Sequence, residues 1–349
     1  MFSCTVARNW LKRLLVNACD RSKLKAPRAA LVLVKGVTVR SRKFFGFVLI
    51  VGCLAGAVWL FLAIAGLPTA ALAAAGRVTI ESGGVPRTAI LVQHRRLKQS
   101  RRPLVIILRG GRDKGPRLRH TFGLEEIARA SGAVLIYPQP VSGHWSDAPS
   151  PQASRDAVFI HDLIAKFVSG GTVDPSKVFI VGIGTGGMMA LRLACDEKTA
   201  FAGAAVLGAS MPADLEATCK PSRPLPLMMI AGTADTLVPF HGGKANLPTS
   251  KAELLSIEAT LGLFGKAAGC GSGVTTTVFP DKDPRDGTRA YLDRLNNCKV
   301  PVEVIRIEGG GHMLPGFASE DGTGSGRGPS NGDINSAKLV WDFFRRLGG

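Results

Sequence analysis

The chain has 349 residues, 46% of them hydrophobic, and a formal net charge of +18 at pH 7. That is apolar material for one large α/β domain or two small ones, and it excludes a small disulfide-stapled scaffold. The charge is uneven: residues 1–43 hold 11 Lys/Arg and one acid, a net of +10, which leaves only +8 after Lys43 and argues against a nucleic-acid partner.

The basic stretch is followed by 33 residues, 44–76, without a charge, and 44–67 is almost wholly apolar. That run is long enough to cross a bilayer as a helix. Arg40, Arg42 and Lys43 stand directly before it, so everything after it is expected outside the cytoplasm. Small residues at 69–75 offer AxA cleavage sites after Ala73 or Ala75. The segment therefore reads as a signal peptide or a membrane anchor. A long basic leader is unusual ahead of either, and it points to a start of translation near Val39. The expected organisation is a leader (1–43), an export segment (44–76) and one α/β domain (77–349).

Within that domain, short apolar runs flank Gly83-Gly84 and suggest an opening hairpin. Further apolar runs follow at 104–108, 133–137, 178–181, 204–207, 227–230 and 302–307. Several are continuous, as in parallel strands covered on both faces. Helical patterns lie between them at 122–130, 156–167, 187–194, 252–263 and 334–347. The Gly/Ser-rich stretch 322–332 reads as a loop. Alternating strands and helices imply a doubly wound, mostly parallel sheet with helices on both faces. Ligands in such folds bind beyond the carboxyl ends of the strands.

Beyond the strand at 104–108 stands Arg109-Gly110-Gly111, whose glycines let backbone amides approach a ligand and can supply half of an oxyanion hole. The strand at 178–181 leads into Gly182-Ile183-Gly184-Thr185-Gly186, the strand-turn-helix layout of a nucleophile elbow, GxSxG, with glycine where serine belongs. Asp235 lies on the loop leaving 227–230, and His312 follows the glycine run 309–311 after 302–307. Elbow, Asp, His is the chain order of α/β-hydrolases. Gly182 to Gly187 also satisfies GxGxxG, but no acid stands about twenty residues on, where Ala202, Gly203 and Ala204 lie, so no dinucleotide is expected. Thr185 and Ser210 are the hydroxyls nearest the elbow in sequence. At Thr185 the shifted pattern would put Ile183 at a position needing a small residue, and Ser210 reads as a loop hydroxyl.

Seven cysteines include Cys4, Cys19 and Cys53 in the leader and apolar segment. The other four, Cys195, Cys219, Cys270 and Cys298, fit two disulfides in an exported domain, the sequence-local pairs being the choice among three connectivities. No CxxC and no His/Cys cluster at ligand spacing occurs, so no metal is expected.

Taken together, GIGTGGMMALRLAC, LMMIAGTADTLVPFHGG, GGGHMLPG and the closing VWDFF resemble the polyhydroxybutyrate depolymerase and feruloyl esterase group of secreted α/β-hydrolases, over roughly residues 103–344. Asp156 falls where that family has a helix start. The resemblance implies cleavage of small-molecule or polymeric carboxylic esters through an acyl-enzyme, without a cofactor. It makes His312 the base, Asp235 its orienting carboxylate, and Thr185 with Gly110 or Gly111 the oxyanion donors. The chain departs from the family at Arg109, where His is common, at Leu314, where Trp is usual, and at Gly184, the nucleophile position. Without a serine oxygen no acyl-enzyme can form. The expectation is a weak or inactive esterase; the alternative is a membrane-tethered pseudoenzyme that binds esters or glycans.

Overall fold

The computed structural model describes residues 74–93, 101–110, 122–141, 143–145, 151–196, 201–221, 223–316 and 327–349. An antiparallel hairpin opens it, β1 (Ala74–Ser82) and β2 (Val85–Gln93), turning at Gly83-Gly84, both at positive φ as a tight two-residue hairpin turn requires. Strands and helices then alternate: β3 (Arg102–Leu108), α1 (Leu124–Ser131), β4 (Val134–Pro138), α2 (Pro151–Ser169), β5 (Val173–Ile183), α3 (Thr185–Ala194), β6 (Gly203–Leu207) and β7 (Leu227–Gly232). A short pair, β8 (Gly243–Lys244) with β9 (Glu253–Leu254), precedes α4 (Ile257–Ala267). A second hairpin, β10 (Val274–Val278) and β11 (Arg289–Leu295), leads into β12 (Val302–Glu308) and α5 (Ser336–Arg346).

The large sheet runs β1-β2-β4-β3-β5-β6-β7-β12-β11-β10. Its six central strands, β4 to β12 in that order, are parallel, and the two hairpins add antiparallel edges. From β3 the chain steps outward to β4 and then returns past β3 to β5, so the order reverses between β3 and β5. That switch point is where open α/β sheets form their clefts.

Alternate residues of the central strands feed two cores. Leu104, Ile106 and Leu108 join Phe159 of α2, Met188 of α3 and Phe264 of α4 on one face; Val105 and Ile107 join Leu124 of α1 and Phe344 of α5 on the other. Both faces are thus covered, which is why the strands read as continuous apolar runs. One disulfide, Cys195–Cys219, fastens the C-cap of α3, and another, Cys270–Cys298, joins the segment after α4 to the turn after β11.

The α/β-hydrolase architecture expected from sequence is present, with several boundaries moved. Strand β1 starts ahead of Arg77, with Ala74 paired to Gln93. Helix α2 begins at Pro151, a residue suited to a first helical turn, so Asp156 lies inside the helix and not at its start. Helix α4 begins at Ile257, because Ser256 caps it by accepting from the Ala259 N–H at 3.0 Å, while residues 253–254 belong to β9. The leader 1–43 and the apolar run 44–67 lie outside the described residues, as do Gly111 and the basic stretch that follows it. Among the described residues no helix is long and apolar enough to cross a membrane, and no group of His, Cys, Asp or Glu is placed to hold a metal ion.

Candidate active site

The turn between β5 and α3 is built for close approach. A Cβ added at Gly182 would lie 2.5 Å from Gly187 Cα, and one at Gly186 would lie 2.1 Å from the Leu108 carbonyl oxygen. Only glycine at both positions lets α3 leave the strand so abruptly and lie against the end of β3. Between them Gly184 takes φ 56°, ψ −126°, a conformation that side chains adopt only under strain. Its N–H donates to Leu207 O on β6 (3.0 Å), and its carbonyl accepts from the Gly187 N–H (2.8 Å). The turn therefore has the backbone of a nucleophile elbow. In contrast to its neighbours, Gly184 has room beside it among the described residues: chain neighbours apart, the nearest heavy atom to an added Cβ would be Gly110 Cα at 3.7 Å.

The loop after β3 is pinned from below. Trp145 Nε1 donates to the Arg109 carbonyl (2.9 Å), and the buried Arg109 guanidinium donates to Gln139 Oε1 (3.1 Å). Gly110 then meets the elbow, where an added Cβ would be 2.5 Å from Ile183 O and 3.1 Å from the Thr185 nitrogen. Gly110 and the Thr185 amide, two of the expected oxyanion residues, are thus side by side at the switch point; the third, Gly111, is not among the described residues.

Two further loops converge on the same edge. The loop after β7 carries Asp235, whose Oδ1 accepts from the N–H groups of Leu237 and Val238, both at 2.8 Å. Its Oδ2 lies 2.7 Å from His312 Nδ1, although the two residues are 77 apart in sequence. The loop after β12 carries His312 and is cross-linked to the first: Ala234 N–H donates to Gly310 O, Thr233 N–H to Ile307 O, and Gly309 N–H to Thr233 Oγ1, each at 2.9 Å. These bonds need bare backbone. A Cβ at Gly232 would sit 2.2 Å from Gly310 O, and one at Gly311 2.0 Å from Arg327 O.

The imidazole of His312 lies over Gly208, where an added Cβ would come within 3.1 Å of Cε1. Gly208 directly follows Leu207, the residue that accepts from the Gly184 N–H, so base and elbow share one end of β5 and β6. Sequence reasoning missed Gly208; the signal available was a glycine immediately after the 204–207 strand. It also missed Gln139 and Trp145, which carry no motif.

The two alternative hydroxyls are both buried. Thr185 is 1% exposed, in the first turn of α3. Ser210 is fully buried and donates to Leu255 O (2.7 Å), holding its loop to the start of α4. Asp156 is also buried, in a 2.7 Å ion pair with Arg87 of β2, whose guanidinium lies 4.1 Å from the Phe159 ring centroid. That cluster braces the sheet edge beneath Gln139, whose carbonyl Arg87 also reaches at 3.4 Å.

Known proteins resemble this chain in sequence and in fold. Residues 146–259 match the family described as Phospholipase/Carboxylesterase. The chain is 31% identical over 266 residues to the candidate esterase NocK of Nocardia uniformis subsp. tsuyamanensis, a match covering 71% of this chain and 75% of that one. It is 25% identical over 231 residues to feruloyl esterase B of Piromyces equi, covering 64% of this chain but only 38% of that protein's length. Among solved structures, the acetyl xylan esterase from Aspergillus awamori superposes with a TM-score of 0.55 at 15% identity, covering 77% of this chain and 99% of the other, a likeness of fold alone. By these matches the chain belongs to the polyhydroxybutyrate depolymerase and feruloyl esterase family of esterase-type α/β-hydrolases.

Proposed function

We propose that this protein is an exported, ester-binding member of its family in which the covalent route is closed by Gly184, leaving a weak carboxylic ester hydrolase. One observation carries the reading. Residue 184 holds the strained backbone of a nucleophile, beside an Asp235–His312 pair, yet supplies no oxygen. An imidazole oriented through Nδ1 by a carboxylate offers its other nitrogen as a base, and the nearness of Gly110 to the Thr185 nitrogen supports these two as the oxyanion donors. Triad proteases stripped of one member retain about 10³–10⁴-fold catalysis over water, which sets the scale of activity expected.

Export rests on the apolar run 44–67 with its basic flank, and on two disulfides, which persist in oxidising compartments. Cleavage after Ala73 would leave all nine residues of β1, whereas cleavage after Ala75 would remove two that pair with Gln93 and Val92. If the segment is processed, Ala73 is the site that spares the sheet. If it is retained, the domain is tethered to the membrane.

The test is a gain of function. The full-length chain, purified in detergent, is assayed on short-chain aryl esters beside Gly184→Ser. The variant is expected to gain several orders of magnitude and to become labelled by a fluorophosphonate probe. Adding Asp235→Asn to it should remove about 10³–10⁴-fold by misorienting the base. Fast turnover by the unaltered chain, abolished by Thr185→Ala, would overturn the reading. Tight ester binding by the unaltered chain with no turnover would favour the non-catalytic alternative.

A further inference from the structure

The groups that remain around Gly184 suit a nucleophile that is not part of the protein. We infer that the cleft hydrolyses esters directly, with water attacking from the space a serine hydroxyl would take and His312 as its general base. The inference rests on the ester-handling reading above and supplies its chemistry.

Three features point to it. First, the described residues leave space there: among them, chain neighbours apart, an added Cβ at 184 meets only Gly110 Cα, at 3.7 Å, whereas those at 182 and 186 collide with backbone below 3 Å. The elbow is tight everywhere except where a nucleophile belongs. Second, the base is committed by its partner. With His312 Nδ1 held at 2.7 Å by Asp235 Oδ2, Nε2 is the nitrogen left to take a proton. The carboxylate itself cannot swing away, because two backbone N–H groups hold its other oxygen. Third, Gly208 lets the imidazole lie close above the β6 terminus, the strand end to which the Gly184 amide is hydrogen-bonded. A water molecule entering there would be offered an imidazole and peptide groups, the polar surroundings that such a site requires.

The step balances without any added reagent. His312 Nε2 takes a proton from water as the water oxygen bonds to the ester carbonyl carbon, giving a tetrahedral oxyanion. The carbon–oxygen bond to the alcohol then breaks, and the imidazolium returns its proton to the departing alkoxide. Acid and alcohol leave, and nothing is bonded to the protein at any stage. Because water is a poorer nucleophile than an activated serine, the substrates are esters of acidic alcohols, phenyl esters foremost, whose leaving groups need least help.

The experiment follows 4-nitrophenyl acetate hydrolysis by the full-length chain and by His312→Ala, Gly184→Ala and Gly184→Ser. The unaltered chain should release nitrophenol linearly, without a burst, and show no acyl adduct by intact mass during turnover. His312→Ala should lose roughly 10²–10⁴-fold of the protein-catalysed rate. Gly184→Ala, which puts a methyl group where water is needed, should lose most of the activity. Gly184→Ser carries the same Cβ and should gain activity with an acyl adduct, showing that the fold accepts it. A burst or adduct in the unaltered chain, or full activity in His312→Ala or Gly184→Ala, overturns the inference. If Gly184→Ser is fast while the unaltered chain has no His312-dependent rate, the water route fails and the ester-site reading stands. If Gly184→Ser is also inert, both fail.

Discussion

Replacing single glycines of the elbow should separate strain from collision. In Gly184→Ser the new Cβ has room, so the cost is conformational: a side chain at φ 56°, ψ −126° costs roughly 1–3 kcal/mol. Loss of glycine from the unfolded chain returns about 0.4–1 kcal/mol. The net loss is about 1–2 kcal/mol, or a fall in Tm of roughly 2–4 °C for a domain of this size. Gly186→Ala meets a different obstacle, because its Cβ would be 2.1 Å from Leu108 O, 2.5 Å from Leu108 C and 2.8 Å from Arg109 C. All three are backbone atoms, so β3 and α3 must part, and about 3 kcal/mol or more is expected. Thermal melts of both variants and the unaltered chain, followed by circular dichroism without reductant, make the comparison. Equal losses in the two variants would refute the claim that position 184 is open. A Gly184→Ser variant more stable than the parent would refute the strain.

Arg87→Met should be costly, by about 3–5 kcal/mol in urea unfolding, because it leaves Asp156 buried without its guanidinium; the double variant Arg87→Met/Asp156→Leu should recover much of that loss. Each disulfide closes a loop of 24 or 28 residues and should contribute about 3–4 kcal/mol, so dithiothreitol should lower the urea midpoint, and Cys270→Ala/Cys298→Ala should reproduce part of that shift. Acid stability should report on Asp333. Burial pushes its carboxyl up, but the Asn331 amide, the N–H groups of Lys282 and Asp283 and the charge of Arg289 together hold it below its ordinary value. A lowered carboxyl contributes stability that is present above the unfolded value of about 4 and lost as pH falls through the folded one. Asp333→Asn should therefore flatten the acid limb of a stability-against-pH curve; an unchanged limb would show that Asp333 is not among the carboxylates setting it.

The parts of the fold legible in the sequence were those with one dominant driving force. Central strands buried on both faces carry unbroken apolar runs, so β3, β4, β6, β7 and β12 were located to within a residue or two. The β10–β11 hairpin escaped because every residue of Val274–Val278 is exposed, and its β signal lies in valine and threonine branching instead of an apolar run. The two-residue β8 and β9 pair by tertiary context alone. Helix α4 was placed too early because Leu254 and Leu255 extend its apolar pattern backward, whereas Ser256 caps the backbone after them. The Asp235–His312 contact was foreshadowed because each residue follows a strand in hydrolase order. The Arg109–Gln139 and Arg87–Asp156 contacts join residues 30 and 69 apart and leave no local trace.

The bonds that tie residues 233–234 to 307–310 give Asp235 and His312 a common mount. Neither side chain can drift while the other stays, since a change that loosens one loop removes partners from its neighbour. The pair is therefore a single mechanical part, kept whole or lost whole. Neither mount draws on residue 184, so a change of side chain there leaves the pair standing.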